Sequence, residues 1–232
     1  AGYTIVDGAT VIATHINAIL RDNASDLLGH DETREILDKI AQRSPKLIED
    51  LVPEKLSVST IMQILKNILF ESIPIRDMNT IIATLLLESS RTQNSDELTA
   101  LVRPKLGRLM LQNLVPPGQE LSVITLDPSL EQMLINSLQQ SNKAGELVIE
   151  PKLVEGLIAS VNEQRLLAEE SGFPAVLVVA PPIRPWLARL LKQRFADISV
   201  LAYTEIPEDQ NIKGVAPAAS VEIRYIANPC SV

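Results

Sequence analysis

The stretch from Leu47 to Leu87 constrains the fold most, because it contains two amphipathic helical patterns in direct succession. Apolar residues recur there at spacings of three and four, which predicts helices with one wide apolar stripe each. The first stripe is Val58, Ile61, Ile64, Leu65, Ile68 and Leu69, and the second is Met78, Ile81, Ile82, Leu85 and Leu86. Neither stripe is stable in water alone, so the two helices must pack on each other and on neighbours. The pattern predicts a helical bundle.

The two helical patterns are separated by Glu71-Ser72-Ile73-Pro74. Pro74 disfavours a helical conformation at Ile73, and its fixed φ suits the first turn of the next helix, so Pro74 is expected to open that helix. Asp77 would then lie in the first turn, where the helix dipole favours an acid. Arg76 is expected to reach a neighbouring carboxylate, and contact with a partner protein is the alternative.

Composition limits the class of protein. Hydrophobic residues make up 46% of the 232 residues and aromatic residues 3%, so the cores must be aliphatic. The only cysteine, Cys230, excludes an internal disulfide framework and a thiolate metal site. The net charge of −8 and the interspersed basic residues argue against nucleic acid as a partner. No signal peptide or membrane span is visible, and we expect a reducing, cytoplasmic setting.

The beginning of the chain predicts one strand followed by a helix. Residues 3–6 are β-branched and aromatic, and Thr10 is expected to cap a helix that continues to about Arg21. A single strand cannot satisfy its own backbone hydrogen bonds. The chain also starts with Ala1 rather than Met, so we expect a piece of a longer protein whose other strands lie upstream.

The second half of the chain alternates between strand and helix patterns. Strands are expected at 121–126, 175–179 and 198–202, with helices between them, and Pro104 is expected to kink or split the helix before them. The polar segment 89–95 is the expected linker. The predicted fold is α+β overall: an all-helical bundle subdomain followed by an α/β subdomain with a small, mostly buried sheet.

Several passages together resemble one family, the type III export-gate membrane proteins (FHIPEP family), in the flagellar form of their cytoplasmic region. The passages are Gly2-Tyr3-Thr4, Ala9–His15, Pro45–Pro53, Pro74-Ile75-Arg76-Asp77-Met78 and Glu205-Ile206-Pro207. The resemblance extends from about residue 2 to about residue 213. It implies the last strand and the start of a helix of a first cytoplasmic subdomain (1–17), an all-helical third subdomain (18–97) and an α/β fourth subdomain (98–213). Residues 214–232 form a divergent C-terminal tail.

The resemblance also implies a function and partners. The family's cytoplasmic region docks export chaperones with their flagellar substrates, takes part in substrate switching, and works with the ATPase complex and the second gate protein below the bacterial inner membrane. It forms a homo-oligomeric ring in the full-length protein, whereas this piece is expected to be a monomer. Thr4 matches a family residue in the groove where chaperones dock. No enzyme activity, cofactor or metal is implied.

Other candidate residues have simpler interpretations. His15 and His30 are the only histidines and lack converging ligands, so capping or packing is expected rather than metal binding. Trp186 among Arg184, Arg189, Lys192 and Arg194 could bind nucleic acid, but its helical spacing with Leu190 favours a core position. Two alternatives stay open: the equivalent gate of a virulence injectisome, or an uncharacterised α/β enzyme with a cleft at the carboxyl ends of its strands.

Overall fold

The computed structural model describes residues 7–116, 118–144, 149–195 and 197–214. The chain divides into two compact units. Unit 1 comprises Ala1–Leu114 and Glu205–Pro207, and unit 2 comprises Val115–Thr204 and Glu208–Val232. The expected strand at residues 3–6 and the tail from residue 215 onward lie outside the described residues. The assignment of segments to family subdomains stays a prediction.

Unit 1 is helical throughout its described part. Its helices are α1 (Gly8–Asp22), α2 (Ala24–Leu27), α3 (His30–Ala41), α4 (Pro45–Glu49), α5 (Val58–Phe70), α6 (Met78–Glu88), α7 (Ser95–Val102) and α8 (Gly107–Leu114). A 3₁₀ turn, Arg103–Leu106, joins α7 to α8 and contains Pro104. The predicted split at Pro104 is therefore confirmed. Proline there removes one helical hydrogen bond and tightens the turn.

The core of unit 1 is built on the two helices predicted between Leu47 and Leu87. Their fully buried residues are Ile61, Ile64, Leu65 and Ile68 of α5 and Ile81, Ile82 and Leu85 of α6. Helix α7 packs against both α5 and α6, while α2 and α3 pack against α5. Each such aliphatic side chain stabilises the fold by roughly 1.5–3 kcal/mol when it leaves water. The predicted stripes are confirmed as the centre of the bundle.

Two helix starts differ from the predictions. Helix α6 begins at Met78 with Asp77 as its N-cap, so Pro74 does not open it. Asp7, rather than Thr10, caps α1. In both cases the N-cap residue is the last one with non-helical backbone angles. Residue propensities alone predict the position of that residue only to within about one helical turn.

Unit 2 contains a parallel sheet covered by helices. Its elements are β1 (Leu121–Thr125), α9 (Pro128–Ala144), α10 (Pro151–Glu170), β2 (Ala175–Val179), α11 (Arg184–Lys192), β3 (Ile198–Ala202) and β4 (Ile212–Gly214). The strand order is β3-β2-β1-β4, with all three pairings parallel. Every residue of β2 is buried. The predicted α/β half with a small buried sheet is confirmed.

Strand β4 was not predicted from the sequence. It pairs Leu121 with Ile212 and Val123 with Gly214 at the edge of the sheet. Ile212 is half exposed and stands in a polar segment, so no alternation or apolar run marks a strand.

No described helix has both the length and the apolar composition to cross a membrane.

Candidate interaction surface

Helix α1 is well formed but lies outside the core of its unit. At its start Asp7 Oδ1 accepts a hydrogen bond of 2.7 Å from the Thr10 backbone N–H, and at its end Asn23 Nδ2 donates to the Ile19 carbonyl. The hydrogen bond from Thr10 lowers the pKa of Asp7. Both ends of the helix therefore have satisfied backbone groups, as a stable helix requires.

The apolar face of α1 is exposed along its whole length. Residues 7–21 are all exposed. The apolar members of this face, with their exposed fractions, are Val11 (52%), Ile12 (61%), Ile16 (50%), Ile19 (47%) and Leu20 (49%). We call these five residues the α1 face. Contiguous apolar surface of this kind marks a site of interaction in soluble proteins.

Thr4, the one residue that the resemblance connects with chaperone docking, lies outside the described residues. It precedes Asp7, the cap of α1, by three positions in the sequence. Its role in the groove therefore stays a prediction.

The two histidines lie apart from any cluster of potential metal ligands in the described part of the chain. His15 and His30 are both exposed, so neither packs into a core. Within the described ranges no group of three or more His, Cys, Asp or Glu side chains converges on a common point.

Arg76 and Asp77 have different roles. The Asp77 carboxylate caps α6 by accepting from the Thr80 backbone N–H at 3.3 Å. Arg76 is exposed, and its expected neighbouring carboxylate is not found in the part of the chain that the structure describes. A contact with a partner protein is the alternative that remains for Arg76.

Of the basic residues around Trp186, Arg184 is withdrawn from the surface. Trp186 is half-buried and packs against the core of unit 2, as its spacing predicted. Arg184 is buried, which removes it from any phosphate backbone.

Polar groups do converge at the carboxyl ends of the strands, where an α/β enzyme would hold its ligand. The Glu131 carboxylate accepts a hydrogen bond of 2.7 Å from the Ala180 N–H after β2, and the Tyr203 hydroxyl after β3 lies 3.4 Å from both of its oxygens. Partial burial, together with the charge of Glu131, raises the pKa of Tyr203. These groups satisfy one another, and Asp127 already caps the nearby start of α9.

A buried ion cluster in unit 1 was missed by the sequence reasoning. Arg103 Nε and Nη2 donate to the two carboxylate oxygens of Glu205 at 2.7 and 2.9 Å, and Arg103 Nη1 lies 2.9 Å from Glu71 Oε2. The exposed fractions of these side chains are 1% for Arg103, 3% for Glu205 and 16% for Glu71. Burial opposes the charge of Arg103, but the two carboxylates outweigh it and raise the pKa of the guanidinium.

Comparison with known protein families gives one match over most of the chain. The FHIPEP family matches residues 1–211. The Flagellar biosynthesis protein FlhA of Escherichia coli is 39% identical over 215 residues, and the FlhA protein of Salmonella typhimurium is 38% identical over 215 residues. The match covers 93% of this chain but only 30% of either relative.

Solved structures share the fold. The nonameric SctV-C of EPEC matches with a TM-score of 0.75 at 25% identity, over 88% of this chain and 61% of that one. The complex of CdsV and CdsO from Chlamydia pneumoniae matches with a TM-score of 0.78 at 24% identity, over 90% and 60%. The nonameric EscV cytosolic domain from the type III secretion system matches with a TM-score of 0.75 at 24% identity, over 89% and 61%.

Proposed function

This chain belongs to the FHIPEP family, and on that premise we propose that it is the cytoplasmic part of a flagellar type III protein export gate. The single observation that carries this proposal is the family match over residues 1–211. The flagellar branch is favoured because the relatives named FlhA reach 39% identity, whereas the secretion-system structures match at 24–25%. The gate of a virulence injectisome is the second candidate.

In the longer protein, this region would act as a docking platform rather than as an enzyme. It would receive export chaperones with their flagellar substrates and take part in substrate switching. It would lie on the cytoplasmic side of the bacterial inner membrane, with the ATPase complex and the second gate protein as further partners. A ring is supported by the nonameric state of SctV-C, and contact with a second protein by the complex of CdsV with CdsO.

The α1 face supports a role in protein contact. A helix with both ends capped and five apolar side chains in water is incomplete by itself. We propose that the upstream part of the same first subdomain covers this face. Thr4 would then lie in the groove between that subdomain and the second one, where an amphipathic segment of a chaperone could dock.

Chaperone binding tests this proposal. In titration calorimetry, the 232-residue chain is expected to bind a filament-type flagellar chaperone weakly or not at all, because most of the groove is contributed by upstream segments. A longer polypeptide from the same protein that includes both upstream subdomains is expected to bind it.

The control is a pair of threonine variants of the longer polypeptide. Thr4→Lys should weaken binding at least tenfold, and Thr92→Lys, in the polar segment between α6 and α7, should leave it unchanged. Tight binding by the 232-residue chain alone, or equal affinities of the two variants, would contradict the groove model.

A further inference from the structure

Arg103 joins two parts of unit 1 that are far apart in the sequence. Its Nε and Nη2 atoms donate hydrogen bonds to Glu205, which is 102 residues away, and its Nη1 atom forms an ion pair of 2.9 Å with Glu71 at the end of α5. One guanidinium therefore serves two carboxylates in a nearly water-free environment. A planar guanidinium can do this because its donors point in several fixed directions, which a lysine cannot reproduce.

Glu71 belongs to a strained helix end. It is the C-cap of α5, and the next residue, Ser72, has a φ of 59°. The Ser72 N–H donates to the Leu69 carbonyl and the Ile73 N–H to the Ile68 carbonyl, which together form a Schellman motif. The left-handed position of this motif usually holds glycine, because a side chain is unfavourable there. Two backbone hydrogen bonds hold serine in this conformation, and the ion pair of Glu71 lies directly beside them in the sequence.

The segment Glu205–Pro207 is fixed on the other side of Arg103. The carbonyl group of Glu205 packs so closely on Gly107 that a Cβ atom at Gly107 would overlap it. Glu205 is thus held by its side chain and enclosed by its backbone. The bidentate geometry leaves the Arg103 guanidinium little freedom to turn while Glu205 is in place.

We propose that Arg103 acts as a clamp between Glu205 and Glu71. While Glu205 is bound to the guanidinium, Arg103 keeps Glu71 in place and so stabilises the Schellman motif at the end of α5. When Glu205 leaves, the guanidinium loses the two hydrogen bonds that fix its orientation, Glu71 no longer has a fixed partner, and the Schellman motif at Ser72 opens. The clamp makes the α5–α6 junction responsive to a tripeptide that follows β3 in the sequence. A local conformational change at residues 205–207 would therefore change the conformation at residues 71–77.

Amide hydrogen exchange of the full 232-residue chain tests the clamp. Glu205→Gln is expected to speed exchange at the Ser72 and Ile73 amides at least tenfold, although these amides lie more than a hundred positions away in sequence. Arg103→Lys should have the same effect, because lysine keeps the charge but cannot hold both carboxylates. Glu208→Gln, at an exposed position close to Glu205, is the matched control and should change nothing at residues 72–73.

A second variant separates the clamp from general destabilisation. Ser72→Gly removes the strain that the clamp opposes, so in this background Glu205→Gln should change exchange at residues 72–73 by less than twofold. The coupling would be refuted if Glu205→Gln altered exchange only near residue 205. It would also be refuted if the tenfold effect at residues 72–73 persisted in the Ser72→Gly background.

Discussion

Because Gly107 has no side chain, the backbone of the distant residue Glu205 can pack directly against it. Gly107 begins α8, where a residue with a better helix propensity would ordinarily be favoured. A Cβ there would overlap the Glu205 carbonyl oxygen, and it would also lie 3.7 Å from Pro207 Cδ. The close approach of the Glu205 backbone explains the glycine, because a Cβ at this position would fit only if that backbone shifted.

Two glycine-to-alanine substitutions in helices are expected to act in opposite directions. Gly107→Ala should lower the free energy of unfolding by about 1–3 kcal/mol, the usual effect of overpacking. Gly156→Ala, in α10, has open space around the new methyl group and should raise it by about 0.5–1 kcal/mol. Urea unfolding followed by circular dichroism measures both. A gain in stability for both variants would show that the backbone at Glu205 yields easily.

The ion cluster around Arg103 could not be predicted from sequence. Arg103 follows two apolar residues in a helix, and Glu205 belongs to a motif that was noted only as part of a family resemblance. A contact between residues 102 positions apart leaves no periodic signal. The one available sign was the apolar environment of Arg103, since a charge in such a position needs a partner.

At the scale of elements, α1 and α5 share an amphipathic pattern but differ in their environment. Both have capped N-termini and an apolar stripe. The inner face of α5 is fully buried, while the α1 face is exposed throughout. Amphipathicity predicts that a helix has a partner, but it cannot tell whether that partner is in the same unit.

This contrast predicts how the two helices respond to substitution. Replacing Ile12 and Ile16 of α1 by lysine should change the free energy of unfolding by less than about 0.5 kcal/mol, as for ordinary surface positions. Ile64→Ala in α5 should cost about 2–5 kcal/mol, because it removes buried methyl groups and leaves a cavity. Thermal or urea unfolding distinguishes these outcomes. A loss in the α1 variant equal to that of Ile64→Ala would mean that the α1 face is already covered within this chain.

Strong local patterns predicted most elements correctly. Apolar residues recur at helical spacing in α5 and α6, and continuous apolar runs mark β2 and β3. The positions of these four elements could therefore be predicted from the sequence. Predictions that depended on one residue were less accurate. Pro74 suits a first helical turn, yet the chain continues irregularly to Asp77 because that carboxylate supplies the cap. Strand β4 exists only through its pairing with β1, which no local pattern records.

At the scale of the whole molecule, family membership and fold support a scaffold for protein contact. Within the described residues, unit 1 is a helical bundle that carries the exposed α1 face, and unit 2 is a parallel sheet whose convergent polar groups bind one another. Neither unit presents a metal cluster among the described residues. Because this chain spans about 30% of the length of the FlhA relatives, the proposed function is tested most directly within a full-length FlhA protein.

The most direct test replaces the matching 215-residue region of Escherichia coli FlhA, which is 39% identical, by this chain and measures swimming and secretion of flagellin. The chimeric gate is expected to restore both above the level of a strain without FlhA. The same chimera carrying lysine at positions 12 and 16 should be non-motile, because the α1 face could no longer be covered. A chimera that is present in the membrane at the normal level but exports no flagellin would contradict the proposed function.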